Sequence, residues 1–269
     1  MIEFSDIQSV YYFLPLIGFV IGIFGTMLGG GGGFFFVPLL TLWIGVPAQT
    51  AVITSLVATL PICMVGALGH YRQNHINFRV AVVFIITGII GAFAGAKISG
   101  SVSEVLLKTA FGIYSILIAL NIVLSTWRKV QVEKRNTAEK KFKSNKTVRF
   151  FKGSFFGLAA GTITGAFGTS GTAPALAGLF SIKIPFKMVI GTSLLVVLVN
   201  SLFAVGAHFM VGRIDLTLVS FLTVGSAAGA VVGTKLLSAV QTGKYENRAR
   251  YWYAALMIGI GVLMITGNK

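Results

Sequence analysis

The sequence predicts an all-α polytopic membrane protein of about eight to ten membrane segments, arranged as two inverted repeats that each open with a helix broken at a glycine-rich motif. Three observations carry that prediction. Apolar residues make up 55% of the 269 positions and charged residues only 11%, more apolar surface than one soluble core could hide. The run Gly29–Gly33 interrupts one apolar stretch, and Gly168-Thr-Ser-Gly-Thr172 interrupts a matching stretch 139 residues later. The basic residues separate onto one side of the membrane only if each half crosses an odd number of times.

Apolar stretches fall near 10–28, 34–46, 48–70, 78–98 and 104–127, and recur near 150–167, 173–182, 188–208, 214–235 and 251–266. Met1–Tyr12 holds Glu3 and Asp6 but no Lys or Arg, so the first stretch is expected to remain as a membrane segment and not to be cleaved as a signal. Gly18, Gly22, Gly29 and Gly32 align with Gly157, Gly161, Gly168 and Gly171 at an offset of 139. After a one-residue gap the offset is 138 for Pro47/Pro185, Thr54-Ser55-Leu56/Thr192-Ser193-Leu194, His70/His208, Gly91/Gly229 and Lys97/Lys235. This register describes an internal duplication. The expected organisation is a first membrane repeat over 10–127, a basic cytoplasmic linker over 128–149 and a second membrane repeat over 150–266.

Ten of the 22 basic residues lie between Arg128 and Lys152, which marks that segment as cytoplasmic. Odd parity then puts 18 of the 22 inside, leaving Lys97, Lys108, Arg213 and Lys269 outside together with the acidic N-terminus. The expected location is the cell (inner) membrane, with both termini outside. The segments 34–46 and 173–182 would rise only about 15–20 Å, against a hydrocarbon core of about 30 Å. Full crossing and a re-entrant hairpin both satisfy the charge pattern.

The chemistry is bounded by what is missing. All seven carboxylates lie at loop or helix-end positions, which disfavours a carboxylate cation site or an acidic proton relay. The sequence contains no Walker lysine, nucleophile elbow or HExxH motif, so neither an enzyme nor an ATP-driven pump is expected, and no metal or cofactor. Cys63 is the lone cysteine, too few for a disulfide. No aromatic platform accompanies the basic linker, so no nucleic-acid partner is expected.

What remains suits a small anion. A chain break leading into a helix N-terminus presents free N–H groups and the positive end of the helix dipole. Gly31, Gly32, Gly33 and Gly171 allow close backbone approach, and Thr169, Ser170 and Thr172 add hydroxyl donors. Thr54, Ser55, Thr192 and Ser193 either bond carbonyls or donate to the substrate, and Asn200 lies deep in an apolar helix. Glycines such as Gly18/Gly22 and Gly225/Gly229/Gly233 have the spacing of close helix packing. His70 and His208 close equivalent helices, as dipole partners or as a titrating gate or proton relay at each mouth. Lys97 and Lys235 are placed to snorkel, and Asn77 and Asp215 to cap helices.

The stretch Gly25-Thr-Met-Leu-Gly-Gly-Gly-Gly-Gly-Phe34 through Val37-Pro38-Leu39-Leu40, then Gly45-Val46-Pro47 and Ala51-Val-Ile-Thr-Ser-Leu56, resembles the sulfite exporter TauE/SafE family of membrane permeases. Gly161–Ala175 and Gly191-Thr192-Ser193 are similar to that family's second repeat. The resemblance implies a permease for sulfite or short organosulfonates. Read together, residues and resemblance point to a secondary transporter that binds its anion between the two breaks, with protons as a coupling ion and the lipid bilayer as its other partner. A passive anion channel on the same scaffold is the alternative, and a membrane subunit of a larger complex a third reading.

Overall fold

The computed structural model of the chain describes residues 2–134, 146–169, 171–182, 184–209, 214–239 and 246–267. The centre of the basic linker, Ser170 and Arg213 lie outside the described residues. The ten α-helices among the described residues are α1 (Leu14–Met27), α2 (Gly33–Pro38), α3 (Ala48–Arg72), α4 (Phe78–Ser101), α5 (Glu104–Lys134), α6 (Lys146–Phe167), α7 (Thr172–Ser181), α8 (Phe186–Phe209), α9 (Leu216–Ala239) and α10 (Glu246–Thr266). A 3-10 turn, Ser9–Phe13, leads into α1, and a π-turn, Leu39–Trp43, extends α2 past Pro38. The two-residue strands β1 (Ile2–Glu3) and β2 (Ile214–Asp215) pair in parallel, Ile2 opposite Ile214 and Glu3 opposite Asp215.

The chain is an all-α polytopic membrane protein. Among the described residues, six helical spans are long and apolar enough to cross a membrane: Ser9–Met27, Ala48–Arg72, Phe78–Ser101, Glu104–Trp127, Phe186–Phe209 and Leu216–Leu237. Gly33–Trp43, Thr172–Ser181 and Tyr251–Thr266 are shorter apolar helices. Large apolar side chains face outward at four-residue spacing, Leu16, Val20 and Phe24 on α1 and Val82, Ile86 and Ile90 on α4. On a helix that spacing forms one stripe, and in a bilayer such a stripe faces lipid.

The fold divides into two compact units, Met1–Val102 with Asn145–Ala239 and Ser103–Ser144 with Val240–Lys269. In the first, α1 packs along α9 and α4 along α6, each pair seated on small residues. Gly18 and Gly22 on α1 meet Leu222, Ser226 and Ala230, while Gly225 and Gly229 on α9 meet Pro15 and Phe19. The contacts advance together along both chains, so α1 and α9 run in the same direction. The same holds for α4 and α6, where Gly161 sits on Gly88 and Gly165 on Ala92 and Ala96. A methyl group at Gly161 would drive into the Gly88 carbonyl, so the glycine spacing serves close packing, as the sequence suggests.

Helices α3 and α8 lie at the centre and run antiparallel, Gly66 against Leu194 and Gly191 against His70. Two apolar clusters flank them. One joins Leu14, Ile21, Phe36, Ala58, Ile62 and Leu222 from α1, α2, α3 and α9. The other joins Ala81, Phe84, Leu179, Val189 and Val196 from α4, α7 and α8, with Phe156 of α6 against it. The second unit is the antiparallel pair α5 and α10, closed at Gly112 and Gly261, with a Glu104–Lys108 ion pair of 2.7 Å on α5.

Candidate functional site at the two helix breaks

Each break is a short left-handed segment. Gly29, Gly31 and Gly32 have φ of 75°, 64° and 79°, and Gly168 and Gly171 have 66° and 50°. A side chain at such angles meets the following carbonyl, so glycine is the residue that turns the chain here without strain. The left-handed positions Gly29 and Gly32 correspond to Gly168 and Gly171 under the repeat offset, and Gly32 and Gly171 are the residues that cap α2 and α7. Neither cap is satisfied by a side chain. The first break is partly closed by its own backbone, Gly30 and Gly31 N–H groups donating to the Gly25 carbonyl at 2.8 and 3.0 Å.

The breaks touch each other and the two central helices. Thr172 donates its hydroxyl to the Gly30 carbonyl at 3.4 Å, and a methyl group at Gly30 would collide with the Thr172 side chain. Ser193 of α8 donates to the Gly29 carbonyl at 2.8 Å, and Ser55 of α3 lies 2.9 Å from the Gly168 carbonyl and 2.8 Å from that of Val52. Every one of these bonds to a break carbonyl runs from one half of the sequence to the other.

The neighbouring threonines do parallel work. Thr192 accepts the Asn77 N–H at 2.9 Å, and Thr54 accepts the Asp215 N–H at 3.4 Å. Asn77 and Asp215 cap α4 and α9 as their positions suggest, accepting from Val80 and Leu218 N–H groups at 3.3 and 3.2 Å. A serine hydroxyl has one proton to give, so Ser55 and Ser193 as placed here direct it at backbone and leave none for an oxyanion. Their visible role is to hold the breaks in position.

Polar atoms on α3, α8 and the second break are buried and have no hydrogen-bond partner among the described residues: Thr59 Oγ1, Thr169 Oγ1, Ser201 Oγ and both amide atoms of Asn200. Each of the four residues is at most 2% exposed. A buried polar group left unpaired costs about 1–3 kcal/mol, and native structures contain few, so such atoms point to a ligand or to water. Thr59 lies on α3 beside Gly31, with Cys63 Sγ on the same glycine, and the Asn200 amide packs on Gly88 of α4. Thr169 and Asn200 are among the residues singled out from the sequence. Thr59 and Ser201 are not, because a lone hydroxyl in an apolar helix reads as bonded to its own backbone. Ser170 falls outside the described residues.

The two equivalent histidines differ. His208 donates from Nε2 to the Gly165 carbonyl at 2.6 Å, which fixes α8 against α6. His70 is 1% exposed and, among the described residues, bonds nothing through either nitrogen. Among the described residues no group of three or more His, Cys, Asp or Glu side chains is placed to hold a metal.

Comparison with known proteins adds a family. Residues 14–264 match the family model described as Sulfite exporter TauE/SafE. Among curated proteins, the chain is 27% identical to the probable membrane transporter protein YdhB of Bacillus subtilis, over 82% of this chain and 87% of that one. It is 27% identical to a probable membrane transporter protein of Xylella fastidiosa over 93% and 91%. The figure is again 27% for the probable membrane transporter protein MJ0441 of Methanocaldococcus jannaschii, over 70% and 68%. No solved structure matches the chain.

Proposed function

The chain belongs to the sulfite exporter TauE/SafE family and is a membrane transporter, and from that premise we propose that it carries a small sulfur oxyanion, sulfite or an organosulfonate, bound between the two glycine breaks. The observation that carries this reading is the set of unpartnered buried polar atoms on Thr59, Thr169, Asn200 and Ser201, around breaks whose helices start with uncapped N-termini. Helix α7, with Gly171 at its start, offers an anion N–H donors and the positive end of a dipole. Gly31, Gly32 and Gly33 allow the same approach from the first half, Thr169, Ser170 and Asn200 supply side-chain donors, and Thr172 adds its hydroxyl by giving up its long 3.4 Å bond to the Gly30 carbonyl. Thr54, Ser55, Thr192 and Ser193 hold this frame.

The transport cycle is alternating access by inverted repeats. Supporting it, α3 and α8, which the repeat offset equates, run antiparallel, and the contact of α1 with α9 is repeated by α6 with α4. Equivalent helices that oppose one another, with the α1–α9 pairing of one half mirrored by α6–α4 of the other, are what a two-fold axis in the membrane plane produces. The repeats 10–127 and 150–266 then lie either side of a cytoplasmic linker, in the cell membrane, with both termini outside. For sulfite, protons ride on the substrate, since His208 is committed to a carbonyl and the carboxylates stand at loop or helix-end positions, Glu104 at the first position of its span.

Flux into proteoliposomes containing the purified protein tests the reading, with sulfite, sulfoacetate, taurine, sulfate and chloride as the panel. Saturable uptake of sulfite or a sulfonate, with chloride inert, is expected. Unsaturable conductance of chloride would replace the transporter with a channel.

A further inference from the structure

Where α3 ends and α8 begins, buried ring nitrogens are left with nothing to bond. His70 is 1% exposed and has no partner at Nδ1 or Nε2 among the described residues, so even as a neutral ring it holds an unspent N–H donor. The His75 ring lies 5.7 Å from it, and His75 Nδ1 is likewise buried without a partner. Lys187, in the first turn of α8, acts on both rings through its charge, and the other charge acting on His70 is His75 itself. No carboxylate is among these neighbours. Burial first, then Lys187, holds His75 below the ordinary imidazole range. In the same loop Gln73 Oε1 is buried and unpartnered among the described residues, and that amide can turn to present N–H groups instead.

The backbone completes the arrangement. Gly191 brings α8 directly against His70 and the His75 carbonyl, and the Thr192 hydroxyl pins the Asn77 end of the loop at 2.9 Å. The first two turns of the 24-residue α8 therefore lie alongside the cluster, at the positive end of its dipole. The equivalent place in the other repeat is built differently. There His208 is bonded to the Gly165 carbonyl, and the counterpart of Lys187 is Gln49, which donates to the Val102 carbonyl at 3.2 Å. The counterpart of His75 is Arg213, outside the described residues. A divalent cation would meet two imidazoles and an opposing ammonium, a poor donor set. An oxyanion would meet the N–H donors of the two imidazoles, the charge of Lys187 and, with its amide turned, the Gln73 N–H groups.

We propose that His70, His75 and Lys187 form an anion-capture site at the linker-side mouth between α3 and α8, where a small oxyanion is held before it reaches the glycine breaks. The proposal rests on the reading that the cargo is an anion. With His70 almost wholly covered, this mouth is shut, and opening it hands the three groups to the arriving anion.

The chain has only three histidines, so its imidazole signals can be assigned by single replacements. Histidine-labelled full-length protein in dodecyl maltoside is titrated with sulfate and with methanesulfonate, which do not change protonation near neutrality, and followed by NMR. Saturable shifts at His70 and His75 but not His208 are expected, with the apparent Kd rising about tenfold in Lys187→Gln, as the loss of one charged donor implies. Absent or unsaturable shifts, equal shifts at all three rings, or an unchanged Kd in Lys187→Gln would overturn the site. The titration is repeated in phosphatidylglycerol nanodiscs, where binding should persist; abolition there would give the site to a lipid phosphate and overturn substrate capture. Flux measured in parallel separates the two claims: flux without these shifts removes the capture site alone, and shifts without flux remove the transport reading alone.

Discussion

Ser193 donates its hydroxyl hydrogen to the carbonyl oxygen of Gly29 at 2.8 Å, across 164 positions of sequence. Ser55 and Gly168, the residues that correspond to these under the repeat, make the same bond at 2.9 Å in the opposite sense. Each half thus holds the other's break from a central helix. The two halves cannot separate at the breaks without exposing carbonyls in a region where water is scarce, and each stranded carbonyl is costly.

Removing either hydroxyl should destabilise the protein. Ser193→Ala and Ser55→Ala each leave a buried break carbonyl without its donor, at a cost of about 1–3 kcal/mol. Thermal unfolding in detergent should show both variants melting below the parent by similar amounts. If both melt with the parent, the hydroxyl ties do not hold the breaks.

The first break should be less tolerant than a glycine turn of similar angle. Gly31 and Gly45 have φ of 64° and 78°, but Gly45 faces open space, whereas a methyl at Gly31 strikes Cys63 and Thr59. Alanine at either costs about 1–2 kcal/mol in backbone strain. Gly31→Ala adds about 1–3 kcal/mol of overpacking. Unfolding midpoints should rank parent, Gly45→Ala, Gly31→Ala, and equal losses in the two variants would contradict the close packing around the break.

Substrate affinity should depend on the second break. Thr172→Ala, Thr169→Ala and Asn200→Ala each remove a donor the anion can use, worth about 1.5–3 kcal/mol when the partner is charged. Apparent KM for sulfite or a sulfonate should rise about tenfold or more in each, with expression retained. Unchanged KM in all three would return these residues to packing.

The charge pattern predicts a cytoplasmic linker with both termini outside. Cysteines introduced as Asn136→Cys in the linker and Asn268→Cys at the C-terminus, in a Cys63→Ser background, should label from opposite sides in intact cells. Labelling of both from one side would contradict inverted repeats.

The sequence carries the architecture further than it carries the site. Gly29 is legible as a break because a glycine run has no place in a helix interior, Gly168 because it matches Gly29 at the 139-residue offset, and Asn77 and Asp215 as caps because their side chains precede apolar runs. The pairing of α1 with α9 is foreshadowed by Gly225, Gly229 and Gly233, although four-residue spacing cannot name the partner helix. Ser55 and Ser193 were open between backbone and substrate, since a hydroxyl's acceptor depends on what lies across the helix, and here that is a residue more than a hundred positions away. Thr59 and Ser201 carry no signal in the sequence; only their burial without partners marks them. The difference between His70 and His208 arises the same way, from the Gly165 carbonyl that one ring reaches.

The central claim, that an anion is carried between the two breaks by alternating access, is tested most directly by counterflow. Proteoliposomes containing the purified protein are loaded with unlabelled sulfite or taurine and diluted into a trace of the labelled compound. A transporter accumulates label transiently above its equilibrium level, driven by exit of the unlabelled pool, and Thr172→Ala should shift the concentration dependence of that overshoot upward. Label that only rises to equilibrium, at a rate indifferent to the internal load, would contradict alternating access and leave a passive pore.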